Sequence, residues 1–194
     1  MGKHGWMIVL ATVAITAAFL PLAGAFGASP VEIREGTQFN FTLPSPGSTQ
    51  VQSYLGLNKT GPFKISDVKA QIVVIEVMSS TCPHCQASAP TVNNVYKEMQ
   101  TDPGLADIKF FALSISDNKL GVETFRKAFK TVFPILLDEN HEITNSLKGL
   151  GTPTIIMVST KSGKVLSVHQ GEIQDADGFI KQVKFVKALE AMGQ

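Results

Sequence analysis

The two cysteines of this 194-residue chain stand in one short motif, Cys82-Pro83-His84-Cys85. Two thiols at this spacing could hold a metal, staple the fold, or exchange electrons with other thiols. A structural zinc site needs four ligands, usually from two separated pairs, and this chain has one pair. His141 and His169 are isolated in sequence, and neither spacing makes a ligand pattern. A staple closing so short a loop restricts few unfolded conformations and contributes little stability. Thiol–disulfide exchange is the chemistry best served by the pair. Cys82 is expected at the start of a helix, where unpaired N–H groups and the macrodipole favour a thiolate. Pro83 suits the first turn because its missing N–H would be unpaired there anyway. His84, when protonated, would favour the anion further; its other reading is a solvated loop histidine. Cys85, one turn along, would face Cys82 and resolve the mixed disulfide that exchange creates.

The surrounding pattern supplies elements to position such a pair. Ile72 to Met78 is a β-branched run without alternation, which predicts a strand buried on both faces. A helix follows the cysteines to about Gln100, stopped by Asp102-Pro103-Gly104. Ile108 to Ile115 reads as a second strand, Val122 to Lys130 as a helix and Pro134 to Leu137 as a short strand. Glu142 to Lys148 reads as a helix ended by Gly149 or Gly151. Thr154 to Ser159 and Val165 to His169 form an antiparallel hairpin through the turn at residues 161–164. Phe179, Ile180, Val183, Val186 and Leu189 form the apolar stripe of a last helix covering the sheet. Strands alternating with helices imply a parallel α/β core, and the final hairpin makes the sheet mixed.

Seventeen basic and sixteen acidic residues give a net charge of +1, which offers no electrostatic footprint for nucleic acid. At the start of the chain, Lys3 is the only Lys, Arg, Asp or Glu before Glu32. Trp6 to Leu20 is apolar apart from two threonines, and Ala23-Gly24-Ala25 has the small residues of a cleavage site. Residues 1–25 are read as a secretory signal cut after Ala25, or as an uncleaved membrane anchor, since uncharged residues continue to Val31. Either reading places the domain in the periplasm or on the extracytoplasmic face of the membrane, where disulfides persist. Contact with the membrane would be through this segment alone. Residues 26–62, rich in Gly, Pro, Ser and Thr, are expected to form an N-terminal hairpin or edge-strand extension to a domain over 63–194.

The stretch VVIEVMSSTCPHCQASAP resembles the active-site segment of the thioredoxin superfamily, and the sequence from Phe133 to Ile173 is similar to TlpA/ResA-type envelope thiol–disulfide oxidoreductases. The resemblance covers about residues 36–190 and implies a thioredoxin-like fold with a helix-strand insertion at 116–140. It makes Cys82 and Cys85 the redox pair and Pro90 the proline of the active-site helix. Thr152-Pro153-Thr154 matches the cis-proline loop, whose backbone pairs with a bound substrate segment, and Gly171 matches the glycine after the last hairpin. Glu76, six residues before Cys82, stands where thioredoxin relatives carry a buried acid. Burial should raise its pKa and suit it to relay a proton with Cys85; the alternative is an acid at a strand end reaching solvent. Protein substrates with thiols or disulfides, and a membrane redox partner, are the implied partners; no cofactor and no metal is implied. A peroxidase is disfavoured, because the Pro-x-x-x-Thr-x-x-Cys pattern is absent.

Two positions depart from the family. Thr81 replaces the usual aromatic before the first cysteine, and Ser88 replaces an acid that ResA-type proteins carry. The Pro83-His84 dipeptide matches strongly oxidising DsbA-type enzymes, so a reductase-like body carries an oxidant's motif. Two readings of other classes stay open: a copper-binding or copper-delivering module with His141 as third ligand, and a non-catalytic envelope module.

Overall fold

The computed structural model describes residues 1–2, 32–147 and 149–193. The signal or anchor expected over residues 1–25 lies almost wholly outside the described residues, as does the start of the 26–62 extension. Among the described residues, no helix is long and apolar enough to cross a membrane.

A five-stranded mixed sheet in the order β3-β2-β1-β4-β5 forms the middle layer. Its strands are β1 (Ile72–Met78), β2 (Ile108–Ser114), β3 (Ile135–Leu137), β4 (Thr154–Ser159) and β5 (Val165–Gln170). β1 runs parallel to β2, as does β2 to β3, while β4 is antiparallel to both β1 and β5. All seven residues of β1 are buried, as an apolar run without alternation demands of a central strand. Successive side chains alternate between faces. Ile72, Val74 and Met78 therefore join the core beneath α2 (Pro83–Thr101) and α5 (Ala176–Met192). Val73, Ile75 and Val77 join a second core with Leu43, Leu55 and Phe63 of the N-terminal region and with Ile143 of α4 (Glu142–Ser146). Glu76 has the parity of the α2 face.

The expected insertion is α3 (Lys119–Phe129) followed by β3. α3 starts three residues earlier than the apolar pattern indicated, because Asn118 caps it by accepting from the Gly121 N–H at 2.9 Å. Of the two forms expected for the N-terminal extension, a hairpin or an edge strand, the described residues make no hairpin and instead pair at the sheet edge beside β5. Residues 36–43 pair outside their own segment, Gln38 bridging to Lys164 and Leu43 to Phe63. Between them lies α1 (Thr49–Leu55), which the Pro- and Ser-rich composition concealed although Ser48 caps its start and Gly56 closes it in the left-handed conformation. Four of the five stripe residues of α5 are buried, but Leu189 is exposed near the helix end.

Candidate active site

The carboxyl end of β1 delivers the chain to a tight turn, closed by the Cys82 N–H donating to the Ser79 carbonyl at 3.2 Å. Cys82 is the N-cap of α2 in extended conformation, Pro83 is the first helical residue, and Cys85 lies in the first turn. Both cysteines are free thiols; Cys82 is half-buried and Cys85 is buried. Pro90 lies inside α2. Its missing N–H leaves the Gln86 carbonyl without a helical partner.

Across from the turn, the Thr152–Pro153 peptide bond is cis. The Cys82 thiol donates to the Thr152 carbonyl at 3.2 Å, so the proline loop and the cysteine pair, 70 residues apart, form one surface. Gly171, at φ +95°, closes that loop from behind by donating its N–H to the Pro153 carbonyl at 2.9 Å. This left-handed backbone favours glycine.

The two sulfurs are treated oppositely. Burial works against the Cys82 thiolate, but the Thr152 side chain, the Cys85 N–H and thiol, and the His84 N–H outweigh it and hold the thiol below its ordinary value. Burial pushes the Cys85 thiol up to about 12. Glu76 is 2% exposed, its carboxyl oxygen Oε2 has no hydrogen-bond partner, and burial followed by the charge of Cys82 raises it to about 8. The strand therefore buries the acid rather than carrying it to solvent, and holds it protonated at neutral pH.

The His84 ring is exposed but paired with an acid. Its Nδ1 lies 2.6 Å from Oε1 of Glu172, and that carboxylate, by hydrogen bond and then by charge, raises the imidazole pKa, with Cys82 adding to it. Ser88, at the position of the missing acid, is buried and accepts from the Ile173 N–H at 3.2 Å. Thr81 is exposed. His141 is the N-cap of α4, and the His169 ring packs edge-on against Phe179. No group of three or more His, Cys, Asp or Glu side chains that could hold a metal is found among the described residues.

Two residues at the site had no sequence signal. Asp117, in the loop after β2, accepts from the Ser80 N–H and hydroxyl, each at 2.7 Å, and from the hydroxyls of Ser79 (3.3 Å) and Ser114. It clamps the turn that presents Cys82. Gly121 lets α3 approach that turn, since a Cβ there would stand 2.8 Å from the Ser80 hydroxyl. The second is Glu172, 88 residues from its partner His84.

The Redoxin family profile matches residues 45–183 of the chain. The chain belongs to the Redoxin family. Within it, the chain is similar to thiol-disulfide oxidoreductase ResA of Geobacillus thermodenitrificans, at 27% identity over 142 residues covering 73% of this chain and 77% of the relative. In fold it is similar to StoA from Bacillus subtilis, with a TM-score of 0.53 and 22% identity over 76% of this chain and 95% of that one. It also matches the thioredoxin domain of a thiol-disulfide oxidoreductase from Bacteroides vulgatus, with a TM-score of 0.57 and 15% identity over 80% of this chain and 99% of that one. This Redoxin protein is a TlpA/ResA-like thiol–disulfide oxidoreductase of the thioredoxin superfamily.

Proposed function

We propose that the protein exchanges disulfides with protein thiols outside the cytoplasm, with Cys82 as nucleophile and Cys85 as resolving thiol. The observation that carries this reading is the opposed environment of the two sulfurs, one half-buried and held toward the thiolate, the other buried and raised to about 12. The Cys82 thiolate attacks one sulfur of a substrate disulfide, forms a mixed disulfide and releases a substrate thiolate. Cys85 then loses its proton, attacks the Cys82 sulfur and releases the second substrate thiolate. Two electrons pass to the substrate, and Cys82 and Cys85 end joined. The reverse sequence oxidises a substrate dithiol, and the electron partner, a membrane redox protein in this reading, sets the direction.

Glu76 serves as the proton relay for Cys85. A carboxyl at about 8 can exchange protons near neutral pH, and its charge coupling to both sulfurs supports the assignment. Thr152 and Pro153 form the substrate-binding edge, His84 tunes the thiolate, and Pro83 and Pro90 are structural. The apolar run from Trp6 to Leu20 supports export.

Cys85→Ser should trap mixed disulfides with protein substrates, read on non-reducing gels, while Cys82→Ser should trap almost none. The reversed pattern would overturn the roles of the two thiols.

A further inference from the structure

Glu172 stands between three independent ties. The residue before it, Gly171, is bonded to the Pro153 carbonyl at 2.9 Å. The residue after it, Ile173, is buried and donates to Ser88 of α2 at 3.2 Å. Its own carbonyl lies 3.3 Å from Nε2 of His169, whose ring is packed against Phe179. The backbone at 172 is thereby fixed to the proline loop, to the active-site helix and to β5. From that support the side chain, itself 30% exposed, reaches the His84 ring at 2.6 Å. The His84 ring has no comparable support of its own, being 72% exposed on the first turn of α2.

We propose that Glu172 is a positioning residue for the dithiol chemistry: its carboxylate holds the His84 ring in place at the head of α2 and couples the charge of that ring to its own. The proposal rests on the reading of Cys82 and Cys85 as a redox pair. An unpaired histidine on an exposed helix start would sample several rotamers and would lose its charge near its ordinary pKa of about 6.5. Paired with Glu172, the ring keeps one orientation and remains protonated to higher pH, consistent with the raised imidazole. The help that His84 gives the Cys82 anion then comes from its backbone N–H and from the charge of a ring that Glu172 keeps protonated. The sequence motif of a strong oxidant is in this way supported by a residue outside the motif, which keeps its histidine charged.

The titratable groups around the pair are few. Cys82 faces His84 from the same turn, and His169 faces the Glu172 carbonyl from β5. Glu76 from β1 and Cys85 interact with Cys82 from the buried side. The loop Gly151–Thr154 brings no charged side chain.

The decisive experiment is Glu172→Gln in the full chain, with His84→Ala and the double variant. In the oxidised wild type, where no thiolate can contribute, the His84 ring proton signals should titrate above the ordinary histidine range. In E172Q they should titrate at a lower pH. At pH 7.5 the E172Q ring is then neutral, and the glutathione equilibrium should shift about two-fold toward a more reducing protein. In the H84A background the same Glu172→Gln change should give no such shift, because the ring it acts through is gone. An unchanged His84 titration in E172Q, or an equal shift in both backgrounds, would overturn the proposal. The titration needs no substrate and no exchange, so it stands or falls separately from the trapping test of the thiol roles.

Discussion

Cys82 and Cys85 share a single helical turn, yet one belongs to a rim and the other to a floor. On the rim, the Cys82 sulfur meets the Thr152 carbonyl, and the exposed His84 ring meets Glu172. On the floor, Cys85 and Glu76 are 1% and 2% exposed, and Asp117 clamps the buried Ser80 from the side. Rim groups are wetted, so their charges act weakly and are screened by salt. Floor groups have exchanged water for protein, so the cost of charging them dominates. Three residues of separation suffice to move two identical thiols in opposite directions, because one sulfur gains hydrogen bonds from Thr152, Cys85 and His84 that outweigh its burial, while burial dominates the other.

The largest effect should come from the floor. Glu76 binds its proton up to about 8 when folded, against an ordinary value of 4.5. Between those values the folded state holds a proton that the unfolded state has released. The associated stability is complete below the unfolded pKa and falls as pH rises through about 8, by at most about 5 kcal/mol. Reduced wild type should therefore lose several kcal/mol between pH 5 and pH 8 in urea unfolding, and Glu76→Gln should abolish most of that slope. Equal slopes in the two proteins would put Glu76 in contact with water.

A smaller loss is expected at the clamp. Asp117→Ala leaves the N–H and hydroxyl of the buried Ser80 without their acceptor, and should destabilise the protein by about 2–4 kcal/mol with little dependence on salt. Asp117→Asn, which keeps an acceptor, should recover about half. The rim should respond least. His84→Ala should weaken the Cys82 thiolate and make the protein about two- to five-fold more reducing against glutathione in dilute buffer. That shift should fade near 1 M salt, where the screening length is about 3 Å. A shift undiminished by salt would place His84 with the floor.

The parts of this site that were legible in the sequence are those whose cause is local. The buried strand, the cysteine pair at a helix start, and Glu76 interrupting an apolar run all announce themselves within a dozen residues. The Thr152-Pro153 loop was legible only by resemblance. Asp117 and Glu172 were not, because an acid in a loop looks the same whether it faces water or meets a serine or histidine 37 or 88 residues away. The partners of the N-terminal region were hidden for a related reason. Its alternating residues at 38–43 do suit an extended chain, but their partners are Lys164 and Phe63 rather than each other. α1 was hidden because a seven-residue helix offers too few periods to stand out among prolines and glycines.

The pairing of that N-terminal region sets which end of the sheet it grips. Gly36 and Thr37 are bonded to Val165, the first residue of β5, whereas the last, Gln170, is level with Thr154 beside the proline loop. The intervening strand is roughly 17 Å long. The described chain is thus moored at the pole of the sheet remote from the dithiol. The grip of residues 36–37 and the cysteine motif lie at opposite ends of the sheet, so a substitution in one can be made without touching the other.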